Sequence, residues 1–290
     1  MRKGRVAVAP DVLEKLQSIE SYLACGQTAE ARPLLEALLA QVELYIDEVC
    51  VTSDTRQYFS FSSQFEKLAY QRVEKDPREL VVVEAPFDRV YADYAFCLLA
   101  LNDPEAAAEA LKKAVRWNPM GCGYRLDLAE LYRTNGDIDE YLGLTFSVFE
   151  RASDVRHLVR AFCNFARHFM DTGADSAAAA CLRCARRLDW SDNVLDGLID
   201  RVKGTPCDPD AFTDEQTSQV MAENGLPEGA NAEVALCLLM CATDVASKDR
   251  SLATNLTVRA RDLVGTPAVK ALLELIRSTD AEGEGSHADA

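Results

Sequence analysis

Apolar residues recur along this chain at helical spacing. Val12, Leu13, Leu16, Ile19, Tyr22 and Leu23 fall on one stripe, and Leu34, Leu35, Leu38, Leu39, Val42 and Tyr45 on a second. Residues three and four apart share a helix face, so these runs predict a helix pair over 12–50. Cys25-Gly26-Gln27 breaks the pair, and Thr28 is placed to open its second helix. A further helix is predicted from Ser63 to Glu74. Asp76-Pro77 stops it, because the residue before a proline avoids the helical region. Leu80-Val81-Val82-Val83 is short and β-branched. With no partner strand evident, it reads as an extended strip on the helices rather than a sheet strand. Tyr58, Phe59, Phe61 and Phe65 crowd the connector at 51–63 and its edge. Two readings are open for them: rings folded back onto the core, or an exposed aromatic docking patch.

From Phe87 the pattern acquires a period of about 34 residues. It reads Tyr91, Tyr94, Ala95, Leu98, Ala107, Leu111, Ala114 and Pro119 in its first copy. Leu128, Ala129, Tyr132 and Gly136 open the second, and Phe162, Phe165, Ala166, Phe169, Gly173, Ala178, Leu182, Ala185 and Trp190 form the third. A fixed period of this length predicts units that bury their apolar faces against their neighbours. Asn102-Asp103-Pro104, Gly136 and Gly173 supply the internal turns. Beyond Asp192 the period fades. Helices are predicted at Val194–Val202, from a Thr213…Gln216 capping box to about Asn224, and at Ala232–Ser247, Ser251–Val264 and Thr266–Ser278.

The succession of aromatic, small and large apolar positions closing on proline resembles the tetratricopeptide repeat. The second copy departs from it, with Tyr141, Thr145 and Val148 in place of small-large-small and Ser153 in place of proline. About three extra residues precede the third copy. The resemblance implies an all-α chain, a right-handed α-α superhelix (a tetratricopeptide-like solenoid of helical hairpins) with a helical C-terminal extension. The implied divisions are an N-terminal region at 1–86, three repeats at 87–192, a helical region at 193–279 and a disordered acidic tail at 280–290.

In that family the first helix of each repeat lines a concave groove that grips peptides. By position, the resemblance implies groove residues Arg89, Ala92, Asp93, Phe96 and Leu99, then Leu126, Asp127, Glu130 and Arg133, then Arg160, Cys163, Asn164, Arg167 and Met170. Family members that clamp a terminal carboxylate carry Lys, Arg and Asn along these positions. Asp93 and Asp127 stand where those members tend to place Asn, which speaks against a chaperone-tail clamp. Arg160, Asn164 and Arg167 form a local cationic face, open to reading as a clamp-like spot or as a solvated helix surface.

The 290-residue chain carries a net charge of −16. That sign disfavours nucleic acid and anionic membranes, both of which call for basic surfaces. The segment from Asn193 onward, with 17 acidic and 8 basic residues, carries over half of the imbalance. The longest apolar run, Ala235–Ala242, falls short of the ~20 residues that a membrane-spanning helix needs. The apolar stretch Val6–Ala9 is too short for a signal-peptide core. A cytoplasmic protein is expected, with its ten scattered cysteines reduced.

Candidate chemistry is sparse. Cys181 and Cys184, and Cys237 and Cys241, sit at helical spacing, open to reading as buried small side chains or as a thiol sensor. Cys122 lies in a glycine turn where exposure is expected. His157 and His168 lack a metal-spaced companion, and Asp208, Asp210, Asp214 and Glu215 lack the glycine of a calcium loop. No nucleotide-binding or catalytic motif is present, so neither enzymatic activity nor a cofactor is expected. The expected function is a protein-interaction scaffold that takes a peptide or helix. The alternative is a self-assembling structural protein, its groove filled by Tyr58–Phe65 or Leu80–Glu84. Homo-oligomerisation is left open.

Overall fold

A computed structural model of the protein describes residues 11–285, with side chains described through residue 276. The chain divides into two compact units, Met1–Asp137 and Ile138–Ala290. That division falls within the stretch 87–192 expected to form one repeat array.

The first unit runs α1 (Val12–Ala24), α2 (Thr28–Val49), β1 (Arg56–Phe59), α3 (Gln64–Glu74), β2 (Glu79–Val82), α4 (Phe87–Ala100), α5 (Pro104–Trp117) and α6 (Cys122–Asn135). The helix boundaries follow local chemistry. The Ser63 side chain caps α3 by accepting from Glu66 N–H, and Asp103 caps α5 by accepting from Ala106 N–H. Pro104 opens α5, where its missing N–H has no helical partner to lose. Gly136 ends α6 at φ +89°, in the left-handed region that suits glycine.

The amphipathic stripes meet in one core. Leu16 and Ile19 of α1, Leu35, Leu38 and Val42 of α2, Phe87, Val90 and Tyr91 of α4, and Trp117 of α5 are buried together. Phe87 stands edge-on to Tyr45 at 6.0 Å and to Trp117 at 5.1 Å between ring centres. Burying a side chain of this size stabilises by roughly 1.5–3 kcal/mol, so packing rather than propensity holds these helices.

The strip at 80–83 requires a correction, because it does have a partner strand. β2 pairs in parallel with β1, in the register Arg56↔Glu79, Gln57↔Leu80, Tyr58↔Val81 and Phe59↔Val82. Parallel strands need a long crossover, and α3 supplies it. Arg56 closes the outer end on Glu79 at 2.8 Å. The connector aromatics take the core reading: Phe59, Phe61 and Phe65 are buried, and Phe59 and Phe61 pack on Tyr70 of α3.

The second unit runs α7 (Ile138–Arg151), α8 (Val155–Thr172), α9 (Asp175–Arg187), α10 (Asn193–Val202), α11 (Asp214–Glu223), α12 (Ala232–Val245) and α13 (Arg250–Gly285). Thr213 and Gln216 form the expected reciprocal capping box at α11. Gly265, at φ +81°, interrupts α13 at the break expected between two helices. The acidic end is helical through Gly285, whereas disorder was expected from Asp280; residues 286–290 lie outside those described. Phe149, Phe162 and Phe165 form an aromatic core, and the alanines Ala177–Ala180 are buried where α9 packs on α8. The protein is thus mostly helical, with one two-stranded parallel sheet among the described residues.

Candidate functional site

Arg89, Ala92, Asp93, Phe96 and Leu99 recur at three- and four-residue intervals, so α4 presents them along one side. Two of them are large apolar groups left open to solvent: Phe96 is 54% and Leu99 39% exposed. Arg89 is half-buried, and its guanidinium is bonded to the Glu20 carboxylate of α1. Asp93, one turn on from Arg89, has its Oδ2 atom buried without a hydrogen-bond partner. Burial is the main force raising the Asp93 carboxyl to a pKa of about 6; the nearby Glu20 charge adds to the rise, Arg89 opposes it, and Asp88 adds further.

A buried polar junction fixes the start of α4. The Ser60 hydroxyl donates to the Ala85 carbonyl at 2.5 Å, accepts from Phe87 N–H at 2.9 Å, and lies 3.2 Å from Asp88 Oδ1. Asn118 Nδ2 donates to Asp88 Oδ2 at 3.1 Å and to Glu66 Oε1 at 3.3 Å, and Tyr124 donates to Asp88 Oδ2 at 3.2 Å. Burial pushes the Asp88 carboxyl up, while the Asn118 bond opposes that shift. This network joins the β1–α3 connection, α4, the α5–α6 turn and α6. No motif in the sequence singles out Ser60, Asp88 or Asn118. The signal was a polar residue at each element boundary, which a surface turn shows equally well.

Two of the remaining candidates, Leu126 and Asn164, are buried. Leu126 is fully buried, because α6 packs on α5 and buries Cys122, Leu126 and Ala129. It therefore cannot offer a surface to a guest. Glu130 and Arg133 bond to each other at 2.6 Å. On α8, Arg160 and Arg167 are half-buried, but Asn164 between them is 1% exposed. The Asn164 side-chain amide donates to Thr145 Oγ1 at 3.4 Å, and the Asn164 backbone carbonyl accepts from the Tyr141 hydroxyl at 2.9 Å. Tyr141 and Thr145 are the residues that depart from the repeat pattern, so polar pairing with Asn164 replaces small-large-small packing there. Asn164 is a packing residue, and the cationic face expected from Arg160, Asn164 and Arg167 is interrupted. Phe96, Leu99 and Arg89 belong to the first unit and Arg160 and Arg167 to the second.

Nine of the ten cysteines are buried, and Cys25 is exposed. Cys122 is buried, contrary to the exposure expected of its turn. Cys181 and Cys184 are buried, and burial pushes the Cys184 thiol up to about 12 and that of Cys181 up as well. A thiol that holds its proton is a poor nucleophile at neutral pH. Two of the acids at 208–215 meet arginines of α9: Asp210 bonds Arg186 at 2.5 Å, and Asp214 bonds Arg187 at 2.6 Å and Arg183 at 2.7 Å. Among the described residues, no group of three or more His, Cys, Asp or Glu side chains could hold a metal ion, and no helix is long and apolar enough to cross a membrane.

No protein-family model matches the chain, and no curated protein matches it at a significant level.

Proposed function

We propose that this chain is a non-enzymatic interaction scaffold of tetratricopeptide-like helical hairpins that captures a peptide or helix on the outward side of α4. A cytoplasmic setting accords with its ten scattered cysteines. Three helices that would open successive repeats start at Phe87, Cys122 and Val155, 35 and 33 residues apart, which supports the repeat reading. The reading rests on one observation above all: Phe96 and Leu99 stand exposed on the same side of a helix that buries Phe87, Val90, Tyr91, Ala95 and Leu98. Adjacent apolar side chains left in water on a rigid helix suit the anchors of a partner peptide. The junction at Ser60, Asp88, Asn118 and Tyr124 holds that helix in place, so little ordering cost would fall on binding.

Affinity capture with the wild-type chain and with a Phe96→Ser, Leu99→Ser variant tests this reading. Capture of specific partners is expected to fall at least tenfold in the variant, with thermal stability nearly unchanged because both side chains are exposed. Retention of every partner by the variant would remove α4 as the binding surface.

A further inference from the structure

The α4 surface combines three features that bear on the sign of its guest. Its central carboxylate, Asp93, has a buried oxygen with no donor. The neighbouring cation, Arg89, is already engaged by Glu20. Phe96, less than one turn beyond Asp93, is open to solvent, and Leu99 follows it. A carboxylate removed from water without a compensating hydrogen bond costs stability, and the fold carries that cost beside its open apolar groups. Asp93 as a residue is only partly buried, so a guest cation can approach its carboxyl group and offset the charge that Arg89, held by Glu20, leaves unmatched. A guest carboxylate at the same place would meet Asp93 and Glu20 together and add like-charge repulsion. The chain's net charge of −16 favours the same cationic class in diffusional encounter.

Resting on the scaffold reading above, we propose that the guest is a basic-apolar peptide, which sets a lysine or arginine side chain against Asp93 and an apolar side chain over Phe96 and Leu99. The cation would share the Asp93 carboxylate in a charge-assisted hydrogen bond, and the apolar neighbour would exclude water from it.

The test uses the full chain and two synthetic amphipathic peptides. They share the same leucine positions and differ in carrying lysine or glutamate at the polar ones. Fluorescence anisotropy at moderate salt measures both affinities. The lysine peptide is expected to bind at least tenfold more tightly than the glutamate peptide. Asp93→Asn is expected to weaken the lysine peptide about tenfold, the scale of one charge-assisted contact. Glu105→Gln, which removes an exposed acid from the first turn of α5, is expected to leave that affinity unchanged. Four results overturn the proposal: no binding of the lysine peptide, equal binding of both peptides, no effect of Asp93→Asn, or an equal effect of Glu105→Gln. Phe96→Ser separates the two levels of the account. If it weakens the lysine peptide while Asp93→Asn does not, the α4 surface stands and the cationic guest falls; if neither has an effect, both fall.

Discussion

Asp93 and Asn164 lead to opposite expectations because their polar atoms are satisfied differently. The Asp93 carboxyl has a folded pKa of about 6, above the ordinary 3.8. The folded state then binds this proton more tightly than the unfolded chain, so stability falls as pH rises through that interval and stays lower above it. Asp93→Asn removes the charge that burial disfavours. Denaturant unfolding is expected to show the variant about 1–2 kcal/mol more stable than the parent at pH 7.5, with the difference vanishing below pH 4. A variant that is less stable at pH 7.5 would contradict an unpaired carboxylate. The Asn164 side chain, in contrast, is buried in the second unit and donates to Thr145 Oγ1. Asn164→Ala is expected to cost about 1–3 kcal/mol, where a groove-surface residue would change stability by about 0.5 kcal/mol or less. Sequence alone did not separate these cases: helical spacing assigns a residue to a side of its helix, and only the neighbouring helix decides whether that side is covered.

At the scale of elements, the readable signals were those written within one turn of the chain. The Thr213–Gln216 box, the Asp103-Pro104 start and the Gly136 and Gly173 ends all appear where local chemistry placed them. The β1–β2 pair was not readable. Each strand has four residues, too few to show a two-residue period, and its partner lies across a helix. Ser60 ties that region to α4 by satisfying the first amide of the helix. Ser60→Ala removes the hydroxyl that accepts from Phe87 N–H, beside that amide's bond to the Ala85 carbonyl, and that donates to the same carbonyl; it is expected to cost about 1–3 kcal/mol in thermal or denaturant unfolding. An unchanged midpoint would show that the junction does not secure α4.

For the whole molecule, a net charge of −16 argues against polyanions, but charge totals do not locate a site. The α4 surface emerged only when burial separated Phe96 and Leu99 from Leu126 and Asn164. The same exposed apolar pair could in principle serve self-assembly. Mutual repulsion between acidic copies opposes that use, so light scattering is expected to give a constant mass across concentration at low salt. A mass that climbs with concentration would favour the self-assembling alternative.

Hydrogen-exchange mass spectrometry of the chain, alone and with a captured partner or the lysine peptide, tests the central claim most directly. Slowed exchange is expected at residues 87–100, with the α12 segment 232–245 unchanged. Protection confined to other segments, with 87–100 exchanging as in the free chain, would contradict an α4 binding surface.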